Sequence, residues 1–301
     1  MQESGIQTHL PVRDYDLAAT LISGQAFRWR ERDGGWEGVV AGRWVRLRQT
    51  DDGIAAETAA PQQDWRWLSD YLQVGLDLNS VLHTFPDDEP MRAGVAACRG
   101  LRLLRQDPWE CLASFILSST KQIVQIQQIV ELLCERFGTA LPTPRGKKPA
   151  RSFPSAERLA ATTEAELRAC KMGFRAPNLL AAARQVAARE IDLRALTCCT
   201  VEEARERLTQ LPGVGPKIAN CVLLFAYGFQ QAFPVDVWVM KALRQLYFPK
   251  RRPSPRRLDR FVATHFGPNA GYAQQYLFHY IRTAGRRKQP GSIIDTPRAG
   301  R

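Results

Sequence analysis

Two side chains stand where their type makes chemistry worth considering. In "LPGVGPKIANC" (211–221) two glycines frame a tight turn, Pro216 opens a helix, and Lys217 falls in that helix's first turn. A helix N-terminus carries partial positive charge, so an ammonium there is opposed by ~0.3–1 kcal/mol. Such a lysine is either tolerated at the surface or kept for its reactivity. Nineteen residues on, in "FPVDVWVMKAL", Asp236 stands after Pro234 and before a helical run. A carboxylate there is an N-cap and nothing more, or a negative charge held for a reaction. The backbone N–H groups of Gly213, Val214 and Gly215, with the helix start, make a seat for a phosphate. The same L-P-G-x-G is also an economical turn between two helices.

The elements that must position these groups can be read from periodicity. Residues 26–57 alternate apolar and polar, with turn signals at Asp33-Gly34-Gly35, Gly42 and Asp51-Asp52-Gly53, which predicts a short antiparallel meander. From Asp107 the period becomes helical. Asp107 is an N-cap with Pro108 at the first helical position, and a second helical run ends at Gly138. Residues 139–154 hold four prolines and a basic cluster and read as a surface loop. Helices are predicted at about 155–171, 176–190, 200–210, 216–228, 236–246, 255–266 and 269–285, with a tail from Arg286 that lacks order. The fold class is α+β, an antiparallel sheet followed by a larger helical region.

The chain has 301 residues, enough for one large or two ordinary domains. Its net charge of +12 favours a polyanionic partner, which turns the phosphate reading of the hairpin toward nucleic acid. Part of that excess belongs to the last residues, Arg282, Arg286, Arg287, Lys288, Arg298 and Arg301. Seven cysteines, an odd number scattered through apolar stretches, suit buried thiols in a reducing compartment. No stretch reads as a membrane span or a secretory signal. A cytoplasmic (nucleoid-associated) or nuclear protein is expected, depending on the host.

The hairpin, its lysine and the Pro-Val-Asp together resemble the helix-hairpin-helix (HhH-GPD) DNA glycosylases, and within them the 8-oxoguanine DNA glycosylases of the eukaryotic type. Further blocks carry the resemblance in the family's order: "SGQAFRWR" (23–30), "LRLLRQDPWECLASFILSS" (101–119), "ELLCERFG" (131–138), "GFRA" (173–176), "PVDV" (234–237) and "AGYAQQYLF" (270–278). It implies a TBP-like antiparallel domain over 1–98, a helical glycosylase domain over 99–285 and a basic tail over 286–301. It implies a monomer acting on double-stranded DNA that contains oxidised guanine, with neither cofactor nor metal. Lys217 matches the family's nucleophile and Asp236 its carboxylate. The carboxylate stabilises the oxocarbenium-like state, the amine forms a Schiff base at C1′, and β-elimination cuts the strand.

The resemblance also assigns the base pocket. Cys221, four residues after Lys217, and Phe278 match the two faces of the slot for the extruded base, although helical spacing alone would make both core residues. Gln274 matches the amide that reads the Watson–Crick edge, and otherwise reads as a surface amide. Gly24 matches the glycine whose carbonyl meets the N7 proton that 8-oxoguanine has and guanine lacks; alone it is a turn glycine. Arg175 matches a cytosine-reading arginine. Phe174 stands where the family has a wedging tyrosine, and Trp238 where it has a phosphate-contacting histidine. Thr120-Lys121-Gln122 replaces an asparagine run and Gln125 an arginine, so opposite-base reading departs from the pattern. Two alternatives remain: a glycosylase for another oxidised purine, and a DNA-binding module without catalysis. With no cysteine after Cys221, an iron–sulfur branch of the superfamily is excluded.

Overall fold

The computed structural model describes residues 5–59, 61–119, 122–249 and 253–287, with backbone alone for 284–287. Five antiparallel strands form the N-terminal sheet: β1 (Ile6–Pro11), β2 (Arg30–Arg32), β3 (Gly35–Val40), β4 (Arg43–Gln49) and β5 (Gly53–Thr58), in the order β1-β5-β4-β3-β2. The predicted meander is β2 to β5. Its first two turns, Asp33-Gly34 and Ala41-Gly42, place consecutive residues at positive φ, the geometry that matches strand twist in two-residue hairpins. The edge strand β1, which pairs Ile6 with Thr58, was not predicted. Of its six residues only Leu10 is buried, so it shows no alternation to read.

Four further helices, not expected from the sequence, precede the helical region: α1 (Leu17–Ile22), α2 (Arg66–Leu72), α3 (Leu78–Leu82) and α4 (Glu89–Cys98). One core joins the sheet residues Val45, Leu47 and Ile54 to Leu68 and Leu72 of α2. Leu78, Val81 and Met91 of α3 and α4 pack instead into the larger helical core.

The helical region starts with α5 (Pro108–Leu117), whose cap Asp107 accepts the Glu110 N–H at 2.8 Å, and α6 (Ile123–Phe137), closed by Gly138. Cys111 to Leu117 are all buried, which makes α5 the axis of the core. The 139–154 loop is not wholly irregular, because β6 (Ala140–Leu141) and β7 (Ala150–Arg151) pair within it. The single helix predicted over 155–171 is broken into α7 (Ala156–Ala160), α8 (Glu164–Leu167) and a wide turn over Arg168–Met172. The break has a local cause. Thr163 starts a new helix through a capping box with Glu166, and Lys171, at φ +63°, cannot continue one.

Then follow α9 (Ala176–Ala187), α10 (Val201–Thr209), α11 (Pro216–Val222, running on through Tyr227 as a wide turn), α12 (Val237–Leu246), α13 (Pro255–His265) and α14 (Ala270–Arg287). Helix α14 holds the segment that leads into α5. Its Tyr272 hydroxyl accepts the Leu103 N–H at 3.0 Å, and its Tyr276 hydroxyl donates to the Leu101 carbonyl at 3.0 Å. Arg286 and Arg287 end this helix; the tail expected to lack order lies, from Lys288 on, outside the described residues. No disulfide joins the seven cysteines, and five of them are buried; Cys198 is exposed and Cys199 half-buried, against the expectation. Among the described residues no helix is long and apolar enough to cross a membrane.

Candidate active site

Helices α10 and α11 with the 210–215 turn form the hairpin. Gly213 has φ +78°, and a Cβ there would fall 2.7–2.9 Å from the side chain of Asn178 on α9. Both its conformation and its close neighbour require glycine. Val214 is buried and anchors the turn, while Gly213 and Gly215 face solvent.

Lys217 is half-buried, and its Nζ donates to Ser118 Oγ at 2.9 Å. The Ser118 hydroxyl in turn donates to the Phe115 carbonyl at 2.7 Å, leaving its lone pairs for the lysine. The same Nζ stands 5.4 Å from the centroid of the Phe115 ring, within cation–π range. Ser118 was not singled out in the sequence. It precedes Lys217 by 99 positions, so only the fold pairs them.

Asp236 caps α12, accepting the Val239 N–H at 2.8 Å. Burial raises its carboxyl above the ordinary 3.8; the Val239 N–H, the charge of Lys217, the Trp238 N–H and the charge of Arg282 all act against that rise. The capping reading is therefore correct but incomplete, since the carboxylate also lies in the field of Lys217. The two form no ion pair within 4.0 Å among the described residues. Cys221, one turn after Lys217, is buried, and desolvation pushes its thiol up to about 11. It presents a neutral sulfur at physiological pH.

The turn after α1 brings in Gly24. At φ +84° it adopts a conformation that side chains disfavour, and a Cβ there would sit 3.0 Å from Ile123 Cδ1, 3.3 Å from Arg282 Nη1 and 3.4 Å from Phe278 Cε1. Gly24 and Phe278, 254 positions apart, thus line one place. One turn before Phe278, Gln274 is only 4% exposed, which rules out a surface amide. Its Oε1 is buried with no hydrogen-bond partner among the described residues. A buried acceptor of this kind is open to a donor from water or from a ligand.

The other residues lie on three separate elements. Phe174 is 64% exposed, whereas Arg175 is 2% exposed with its guanidinium 4.3 Å from the Phe174 ring centroid; desolvation lowers its pKa. Both precede α9, whose Asn178 packs on Gly213, so this turn borders the hairpin. Gln125 is exposed, and its side-chain oxygen accepts the Gln122 N–H at 3.1 Å, at the start of its own helix. Trp238 lies exposed in the first turn of α12, with Lys241 Nζ 5.4 Å from its ring. Lys241 and Arg244 line a cleft beside Asp236. Thr120 lies outside the described residues. Among those described, no group of three or more His, Cys, Asp or Glu is arranged to hold a metal ion.

Residues 8–112 match the 8-oxoguanine DNA glycosylase N-terminal domain, and residues 113–267 match the HhH-GPD superfamily of base excision DNA repair proteins. The chain is 32% identical to a probable N-glycosylase/DNA lyase of Methanothermobacter thermautotrophicus, over 92% of this chain and 96% of that one. It is 30% identical to the N-glycosylase/DNA lyase OGG1 of Arabidopsis thaliana, over 87% and 76%. Among solved structures, one described as MBOgg1 with a low affinity DNA ligand superposes with a TM-score of 0.88 at 34% identity, covering 94% of this chain and 98% of that one. The Clostridium acetobutylicum 8-oxoguanine glycosylase/lyase, bound to DNA with cytosine opposite 8-oxoguanine, superposes at 0.86 with 28% identity over 94% and 99%. The chain belongs to the 8-oxoguanine DNA glycosylase family of the HhH-GPD superfamily.

Proposed function

We propose that this protein, acting as a monomer, excises 8-oxoguanine from duplex DNA through a Schiff base on Lys217 and then cleaves the strand by β-elimination. The observation that carries the reading is that the buried Asp236 lies in the field of Lys217, while the Gly24 turn abuts Phe278 one helical turn beyond the buried Gln274 acceptor. The hairpin seats backbone phosphate, with Trp238, Lys241 and Arg244 extending the contact beside it. Phe174 fills the space that the extruded nucleotide leaves.

In the slot the base lies between Cys221 and Phe278. A neutral thiol suits an aromatic face better than a thiolate would, because the anion would be desolvated by the incoming ring. Guanine's N1–H and amino group are donors, and the buried Gln274 Oε1 is an acceptor open to them. The Gly24 carbonyl accepts the lesion's N7–H and is repelled by the N7 lone pair of guanine. Such a contact is worth ~1–3 kcal/mol.

Lys217 Nζ bonds to C1′ through its lone pair while the N9–C1′ bond breaks; that bond's electron pair leaves with the base, which takes up the proton that Nζ sheds. Asp236, ionised, stabilises the cationic sugar. Ring opening gives the imine, and loss of a C2′ proton expels the 3′ phosphate. Ser118 releases Nζ before attack, so the hydroxyl holds the amine only while the slot is empty.

Borohydride trapping on a panel of lesion duplexes tests the proposal. The wild-type protein should form a covalent complex with an 8-oxoguanine duplex, and Lys217→Gln should form none while still binding it. A wild-type protein that traps on no duplex would leave a DNA-binding module, and trapping confined to another oxidised purine would transfer the pocket to that base.

A further inference from the structure

The carbonyl proposed to distinguish the lesion belongs to a turn held on two sides. On one side, the Gln25 amide is fully buried; its Nε2 donates toward the Thr20 carbonyl, Ser23 Oγ and the Arg102 carbonyl, and its Oε1 accepts the Leu104 N–H at 2.7 Å. Gln106 Nε2 adds a donor to the Gln25 carbonyl at 2.7 Å. On the other side stands α14. Its Gln275, 2% exposed, donates from Nε2 to the Ser23 carbonyl at 3.0 Å, and its Arg282 donates from Nη2 to the Ile22 carbonyl. The carbonyls of Ile22, Ser23 and Gln25 are therefore all engaged. Gly24's is the one in that run that accepts no hydrogen bond among the described residues.

Gln275 and Arg282 are seven residues apart, two turns on one helical face. The Arg282 guanidinium also lies 5.3 Å from the Phe278 ring centroid, and its Nη1 is 3.3 Å from where a Gly24 Cβ would be. One rigid helix thus carries the stacking ring, the edge-reading amide and both ties to the turn. We infer that Arg282 and Gln275 are positioning residues that aim the Gly24 carbonyl at the lesion's N7 and thereby set specificity, an inference that rests on the reading of Gly24 given above.

The physical reason is directional. Both the bond to N7–H and the repulsion from a bare N7 depend on the angle at which the carbonyl meets the base, and both weaken steeply off line. A turn released from α14 loses the attraction and the repulsion together, so discrimination flattens while the amine and carboxylate stay in place. Ile22 is 44% exposed, so its carbonyl finds water once Arg282 is gone, and the fold loses little.

The test compares single-turnover excision of 8-oxoguanine with borohydride trapping on a duplex bearing a ready-made abasic site, which offers no base to read. Arg282→Met keeps bulk over Phe278 and removes the donor together with the charge that acts on Asp236; Arg282→Gln removes the same charge but keeps a donor. In Arg282→Met the ratio of excision to abasic-site trapping should fall by about tenfold, or ~1.4 kcal/mol, and Arg282→Gln should recover part of it. A general folding defect lowers both activities and leaves the ratio alone. The inference is overturned if the Met variant keeps the wild-type ratio, or if Gln and Met fall equally. Wild-type protein that excises guanine and 8-oxoguanine alike would instead overturn the reading of Gly24, a result visible without any variant.

Discussion

The proposed lesion slot and the proposed opposite-base surface differ in how far they are assembled before DNA arrives. In the slot, Gly24 is fixed by two sets of hydrogen bonds, Gln274 holds an acceptor in waiting, and Lys217 rests on Ser118 and Phe115. On the other surface Arg175 is folded under Phe174, and Gln125 is committed to the start of its own helix. Preorganised groups stabilise a transition state without reorganising, whereas a tucked arginine must unfold from its ring first. Selectivity should accordingly be strong for the damaged base and weak for its partner.

The largest effect is expected from the chemistry itself. Asp236→Asn should bind lesion duplex as well as wild type and slow single-turnover excision by about 10²–10³-fold. Unchanged excision would reduce Asp236 to its cap. Next comes the shape of the slot. Gly24→Ala faces an unfavourable φ and puts a methyl 3.0 Å from Ile123 and 3.4 Å from Phe278, so 8-oxoguanine excision should fall about tenfold or more. A Gly24→Ala enzyme with normal lesion preference would show that the slot is looser than its geometry.

A smaller effect is expected across the helix. Excision measured opposite C, T, G and A should favour cytosine by well under a thousandfold, about 4 kcal/mol, and Arg175→Ala should flatten what preference exists by about tenfold. A thousandfold preference would abolish the contrast between the two surfaces, and one that survives Arg175→Ala would place the reading elsewhere.

The smallest effect is one of stability. Burial raises the Asp236 carboxyl, so the native state holds that proton more tightly than the unfolded chain does. Its stabilising contribution is present below 3.8 and is lost as pH rises through the folded value. At neutral pH the buried charge is a net cost, and asparagine caps a helix as well as aspartate. Asp236→Asn should therefore melt at or above the wild-type temperature at neutral pH, with the difference shrinking on acidification. Excision by the wild type should lose its carboxylate on an acid limb above 3.8. A variant that melts lower at neutral pH would mean that the Lys217 and Arg282 charges outweigh burial.

Much of this was legible in sequence because it is local or periodic. The meander, the cap at Asp107 and the hairpin follow from turn chemistry and spacing, and Lys217 and Cys221 sit one helical turn apart. Gln274, Phe278 and Arg282 are likewise spaced by four, yet Arg282 was counted only as part of a basic tail. Continuing the helical face one turn beyond Phe278 would have found it. Ser118 carried no such signal, since nothing in "LSS" names a partner 99 residues away. Strand β1 was invisible because an edge strand with one buried side chain has no pattern. The break at Thr163 was missed although its capping box with Glu166 is written in the sequence, the helical period on either side having masked it.

On the proposed mechanism Asp236 does two jobs with one carboxylate, and only one of them needs the charge. Exchange of an oxygen for an NH₂ at this position should slow the reaction by about 10²–10³-fold and leave a residue that still caps α12. A descendant of this fold is thus a single substitution away from a protein that finds oxidised guanine and stays on it.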